Sequence, residues 1–134
     1  QRRGLAVHCD YELSQEDCTE GRQFDDQVAC FSFIDNSRYL VRDAGAYGIP
    51  YRALVPRDVD NLLIAGRMMT VDLVAHNSTR NTVCCLACGQ AAGTAAALAA
   101  AARGATREVN VQALQDALRA DGALLRPRPD PLPS

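Results

Sequence analysis

The sequence predicts an α/β fold in which one long alanine-rich helix packs on a short sheet. Three observations point there. A run of small apolar residues with helical character covers residues 83–103. The apolar stretch Asn61-Leu62-Leu63-Ile64-Ala65 closes on Gly66, and earlier segments carry the β-branched and aromatic content of strands. Hydrophobic residues make up 48% and charged residues 22%, a globular composition rather than a disordered one. The 134 residues fit one small domain or a piece of a larger one.

Taken in order, residues 2–9 read as a strand in which Leu5, Val7 and Cys9 alternate with Ala6 and His8. Ser14, three residues before Asp17, forms an approximate capping box for a short helix that Gly21 ends. Residues 27–34 read as a second strand and residues 35–48 as a loop. Residues 49–55, interrupted by Pro50 and bounded by Pro56, fit an edge or irregular strand. Residues 61–65 have the pattern of a strand buried on both faces. Asn81 or Thr82 caps the long helix. Asn110 caps a last one over residues 111–121, which Gly122 ends and whose apolar face includes Val111, Leu114 and Leu118. From Arg126 the chain alternates proline with other residues, an extended tail.

Charge and cysteine content narrow the partners. A formal net charge of −2 argues against nucleic acid or an anionic membrane. All 14 basic residues are arginine, a bias that also suits anion recognition. Six cysteines in 134 residues fall short of a disulfide scaffold, and Cys84, Cys85 and Cys88 share one helical stretch, where they read as small packing residues rather than metal ligands. The cytoplasm is the expected compartment. A chain opening mid-strand on Gln1, without a Met, reads as a fragment, a processed product or a trimmed form. Residues 83–102 equal a bilayer span in length, but alanine is only marginally apolar, so a buried helix of a soluble protein is expected and no membrane.

The chemistry-bearing part runs from Ile49 to Gly93. It reads Ile49-Pro50-Tyr51-Arg52, Leu54-Val55-Pro56, Val59-Asp60-Asn61-Leu62-Leu63-Ile64-Ala65-Gly66-Arg67, then Arg80, then Gly89-Gln90-Ala91-Ala92-Gly93. A strand ending in glycine lets another group approach the backbone closely, and Arg67 follows at the edge where open α/β sheets place their ligands. The amides at the start of the long helix are expected to point into the same region.

This order resembles the C-terminal signature of FAD-dependent oxidoreductases related to glutathione reductase and the fumarate reductase flavoproteins. The resemblance covers most of the chain, including Tyr11, Leu13, Asp17, Gly21-Arg22, Phe24 and Asp26. It implies the C-terminal portion of an FAD-binding fold with a strip of substrate domain: residues 1–48 in the substrate-domain sheet and loop, 49–125 in the FAD domain, 126–134 a tail. It implies FAD as cofactor, with Ala65, Gly66 and Arg67 beside the ribityl phosphate, Asn81, Thr82 and Val83 offering amides to the pyrimidine edge, and Arg80 facing flavin or an anionic substrate. A helix N-terminus carries about half a positive charge, which favours the negative charge a reduced flavin gains. Hydride transfer to or from a small organic molecule is the implied reaction, with Arg80 and His76 as candidate catalytic residues.

Two departures stand out. The Thr-His pair expected after the Gly-Arg reads Asp72-Leu73, and the Asp-x-His near Asp35 reads Asp35-Asn36-Ser37. No Gly-x-Gly-x-x-Gly occurs, so the ADP half of FAD is expected to need a dinucleotide-binding half, as a partner chain or as upstream sequence. Gly89 and Gly93 each cost about 1 kcal/mol against alanine inside a helix. Their face is therefore expected to lie against the strand ending at Gly66 or against that missing sheet. For Arg67 and Arg80 the competing reading is surface salt bridging; Tyr51 and Arg52 face substrate, or pack and stay solvated; Asp72 pairs with an arginine. Two other whole-chain readings are a non-catalytic interaction module and a membrane-associated subunit.

Overall fold

The computed structural model describes residues 7–35, 38–42 and 45–127. The first helix, α1 (Gln15–Thr19), starts on the expected box: Ser14 Oγ accepts the Asp17 amide, and the Asp17 carboxylate accepts the Ser14 amide. Gly21 leaves it with φ of 64°. Asp17 is almost fully buried and also takes the Tyr11 hydroxyl (2.8 Å) and Arg22 (2.7 Å), so its charge is fully partnered.

Two strands, β1 (Gln27–Phe31) and β2 (Tyr47–Pro50), pair antiparallel with Cys30 opposite Gly48 and Phe31 opposite Tyr47. β1 stops three residues short of the expected end. There the chain leaves the sheet for a later helix: the Asp35 amide donates to the Asn77 carbonyl at 3.3 Å, and the Phe33 carbonyl accepts Ser78 Oγ. β2 begins inside the segment expected as loop and ends at Pro50, where the chain tightens into a 3-10 turn, Tyr51–Leu54. Residues 49–55 are thus half strand and half turn.

Residues 61–65 are not a strand. Their registered backbone bond is Ile64 N–H to the Leu54 carbonyl (2.9 Å), and Asn61 and Leu62 face solvent. An apolar run without a neighbouring ladder has nothing to hold it in a sheet. Of the strand expected over residues 2–9, residues 1–6 lie outside the described residues; Val7 and Cys9 make single bridges, to Met69 and Pro56. The tail beyond Pro127 is likewise outside them, while Arg126 donates to the Phe24 carbonyl (2.9 Å).

A helix not foreseen in the sequence, α2 (Leu73–Thr79), lies between Gly66 and the long helix. Asp72 caps it, accepting the Val74 and Ala75 amides at 3.0 and 2.9 Å, rather than pairing with an arginine. α3 (Thr82–Ala102) follows almost at once, and α4 (Val111–Ala120) starts on Asn110, whose side chain accepts the Ala113 amide. α3 lies across β1 and against α4, burying the stripe Cys84, Cys88, Ala91, Ala95 and Ala99. It is buried on that stripe only: Val83, Leu86, Gly89 and Gly93 are exposed. By length and composition α3 is apolar enough to cross a membrane; its small-residue stripe is what lets it sit close on the sheet. The fold is α/β, a small antiparallel sheet with a long helix, and its core centres on Leu13, Tyr47, Ile49, Leu54, Leu114 and Leu118.

Burial also sets the response to alkali. It pushes the Cys9 thiol up to about 11, with Asp10 and Glu12 adding, the Cys18 thiol up to about 12 and the Tyr51 hydroxyl up to about 12. In the unfolded chain the thiols ionise near 9.0. Keeping them protonated therefore contributes stability that is complete below pH 9 and is lost as pH rises through 11 to 12. The urea midpoint is expected to hold steady to pH 9 and to fall at each step above it; a flat midpoint to pH 11 would count against this burial.

Candidate functional site

Gly66 decides the local path. It adopts φ of +68°, which an L side chain rarely takes, and opens a 3-10 turn, Gly66–Met68. A Cβ built there would lie 3.3 Å from Cys85 Sγ and 3.4 Å from Cys85 Cβ, so the glycine sits directly on the first turns of α3. α2 then carries the chain to Arg80, where it turns at Asn81 into α3.

The two segments converge. Ala65, Gly66, Arg67, Arg80, Thr82 and Cys85 line one open cleft of about 430 Å³. Arg67 Nε reaches the Arg80 carbonyl at 3.4 Å across it. Arg80 is anchored by an ion pair with Asp35, and its Nε is buried without a hydrogen-bond partner among the described residues. The salt-bridge reading of Arg80 thus holds for one end of its guanidinium, not for the whole group.

The helix start is open. Asn81 occupies the cap position of α3 yet makes no cap bond. Its side-chain amide turns back to α2 instead, donating to the Asn77 and Ser78 carbonyls at 3.1 and 2.9 Å. The amides of Thr82, Val83 and Cys84 are thereby left without a side-chain acceptor, beside a cleft lined by two arginines. Such an arrangement attracts an anion or an electron-rich ring edge.

Five of the seven residues expected at a cofactor, namely Ala65, Gly66, Arg67, Arg80 and Thr82, line this cleft. Asn81 and Val83 flank it along the backbone, with the Val83 side chain outward. His76 is half-buried on α2, one turn before Arg80, and is not among the lining residues. Cys85, read from sequence as packing, does line the cleft. A face count along α3 finds it, since Cys85 lies off the buried stripe of Cys84 and Cys88. Among the described residues no three His, Cys, Asp or Glu side chains are placed to hold a metal.

Other candidates settle into structure. Tyr51 is buried and donates to the Thr106 carbonyl (2.6 Å); Arg52 lies over the Tyr11 ring at 4.8 Å; His8 Nδ1 meets Glu12 Oε1 at 2.6 Å. The face of Gly89 and Gly93 does not lie against Gly66, because a Cβ on either would have nothing within 4 Å. The residue that sits on Gly66 is Cys85.

A model of the FAD-dependent oxidoreductase family matches residues 2–118. The chain belongs to that family. No curated protein and no solved structure matches it. Membership in the FAD-dependent oxidoreductases implies that FAD is bound. The donors around the cleft suit the pyrimidine edge of such a cofactor: uncapped amides, an unpartnered guanidinium nitrogen, and a glycine where a side chain would intrude.

Proposed function

We propose that this chain forms one wall of the flavin site of an FAD-dependent oxidoreductase and serves hydride transfer to or from a small organic substrate. The observation that carries this reading is the cleft in which Gly66 and the uncapped start of α3 meet. When bound, FAD supplies two-electron chemistry that no side chain offers. The chain's own part is electrostatic and steric. Thr82, Val83 and Cys84 present amides, and Arg80 a fixed positive charge, where negative charge gathers on two-electron reduction. Gly66 leaves room for the ribityl chain.

The ADP half of the cofactor falls to a dinucleotide-binding unit elsewhere, which packs on the outer face of α3. Two observations support that: the sequence contains no Gly-x-Gly-x-x-Gly, and the apolar and glycine positions Val83, Leu86, Gly89 and Gly93 stay exposed. The cytoplasm is the proposed setting.

This division of the cofactor gives an asymmetric expectation. FMN, which keeps the ring and ribityl phosphate, should bind within about threefold of FAD, a difference below 1 kcal/mol. ADP should not displace either. Flavin fluorescence quenching on titration reads both. Competition by ADP with no binding of FMN would overturn the proposal.

A further inference from the structure

Residues 58–65 reach Gly66 without a sheet ladder, so their path is set by what grips them from outside. The grip comes from the turn that follows α3, Thr106–Glu108. Thr106 is buried there. Its amide donates to the Asp60 carbonyl (2.8 Å). Its hydroxyl lies 3.1 Å from that carbonyl and 3.2 Å from the Leu62 carbonyl, sharing one proton between them. Arg107 adds Nε to Asp60 Oδ1 (3.4 Å), while its other nitrogens hold the Pro56 and Arg57 carbonyls at 2.8 and 3.1 Å and Asp10 Oδ2 at 2.8 Å. The Thr106 carbonyl in turn accepts the buried Tyr51 hydroxyl (2.6 Å). Tyr51 opens the 3-10 turn whose last residue, Leu54, accepts the Ile64 amide (2.9 Å). Thr106 thus reaches the segment by two routes, directly at Asp60 and Leu62 and through Tyr51 at Ile64. Two residues further on, Gly66 sits on Cys85 in the first turns of α3, where a Cβ would lie 3.3 Å from the sulfur. Thr106 follows the other end of that helix. The stretch leading into the cleft is therefore fastened at both ends of α3.

We infer that Thr106 is a positioning residue of the cleft: by holding Asp60 and Leu62 it sets how closely the Gly66 turn sits on the start of α3. The consequence for cofactor binding rests on the proposed flavin reading, since a Gly66 turn that lifts from Cys85 changes the gap left for the ribityl chain. Thr106 is buried and is not among the lining residues, so it acts through residues 60–65 rather than by touching the ligand. A group that only stabilised the fold would lower the unfolding midpoint and leave the folded cleft as it is. A positioning group changes the folded chain itself.

Cys85 reports the seating of the Gly66 turn without any flavin, because its thiol lines the cleft directly beneath that glycine. Cys30, likewise half-buried but on β1, serves as the internal reference. Alkylation of the whole chain by iodoacetamide, mapped by peptide mass, reads both thiols, and flavin fluorescence quenching reads FMN affinity. Thr106→Val keeps the shape of the side chain and loses the hydroxyl. It should alkylate Cys85 about fivefold faster and bind FMN about fivefold more weakly, the scale of one hydrogen bond, with Cys30 unchanged. Thr106→Ser should restore both values. Arg107→Gln, a change nearer the surface, should shift both readouts in the same direction and serves where Thr106→Val does not fold; circular dichroism checks each variant. The inference is overturned if Cys85 reacts at the native rate in whichever of these chains folds, if Cys30 accelerates equally, or if the serine variant restores neither readout. Faster Cys85 alkylation with native FMN affinity overturns it as well. Should the native chain fail to bind FMN while Cys85 responds as expected, the flavin reading falls and Thr106 stands as the residue that seats Gly66.

Discussion

Gly66→Val is expected to abolish measurable flavin binding while leaving a folded chain. The native φ of +68° is costly for any L residue, about 1–2 kcal/mol, and more for a β-branched one. The new Cβ alone would stand 3.3 Å from Cys85 Sγ, and its two methyls must go either into Cys85 or into the cleft. Each route removes the space that Ala65, Gly66 and Arg67 leave beside the start of α3. Affinity for FMN should fall by about a hundredfold or more, since about 2.7 kcal/mol of lost fit and induced strain suffices. The global cost should stay at about 2–3 kcal/mol, because Gly66 lies outside the central core. Fluorescence titration beside urea denaturation separates the two. Retained FMN affinity in a stably folded Gly66→Val chain would remove the cleft from consideration as the flavin site.

Gly48→Ala is expected to be the most damaging single methyl in the protein. Its Cβ would fall 1.8 Å from Gln27 Oε1 and 2.3 Å from Gln27 Cδ, so the glutamine must move. That side chain is fully buried and committed three ways. Its oxygen accepts the Phe24 amide (3.0 Å), and its nitrogen donates to Gln23 Oε1 (3.0 Å) and to the Leu125 carbonyl. Displacing it strands several buried polar groups at about 1–3 kcal/mol each. A loss of about 3–4 kcal/mol follows, or roughly 10 °C in melting temperature for a chain of this size. The double replacement of Gln27 and Gly48 by alanine should lose little beyond Gln27→Ala alone, a non-additivity expected of groups in contact. A Gly48→Ala chain within about 0.5 kcal/mol of native, the range of an ordinary surface change, would refute this account of the network.

Local chemistry was readable from sequence where it acts over three or four residues. Ser14 with Asp17, Asn110 and Gly122 each mark a helix end through a bond or dihedral that the residue type dictates. Asp72 carried the same signal, but its helix spans only Leu73–Thr79, too short to show an apolar face, so α2 escaped notice. Long-range pairing was less legible. Residues 61–65 have the composition of a buried strand, and whether they enter a ladder depends on a neighbouring strand that composition does not specify. The meeting of Gly66 with α3 was legible because glycine at a turn and a following helix start constrain each other in space. The contacts that complete the site were not. Cys85 beneath Gly66 and Asp35 on Arg80 lie 19 and 45 residues away from their partners, and nothing local announces them.

The turned-away amide of Asn81 has one more consequence. A helix whose own cap residue holds the preceding helix instead leaves its first amides without a side-chain acceptor, and hydrogen exchange there is expected to follow local opening rather than global unfolding. If flavin fills the cleft as proposed, Thr82, Val83 and Cys84 are the amides in α3 expected to gain most protection. Under the proposed function, flavin binding is expected to order this first turn.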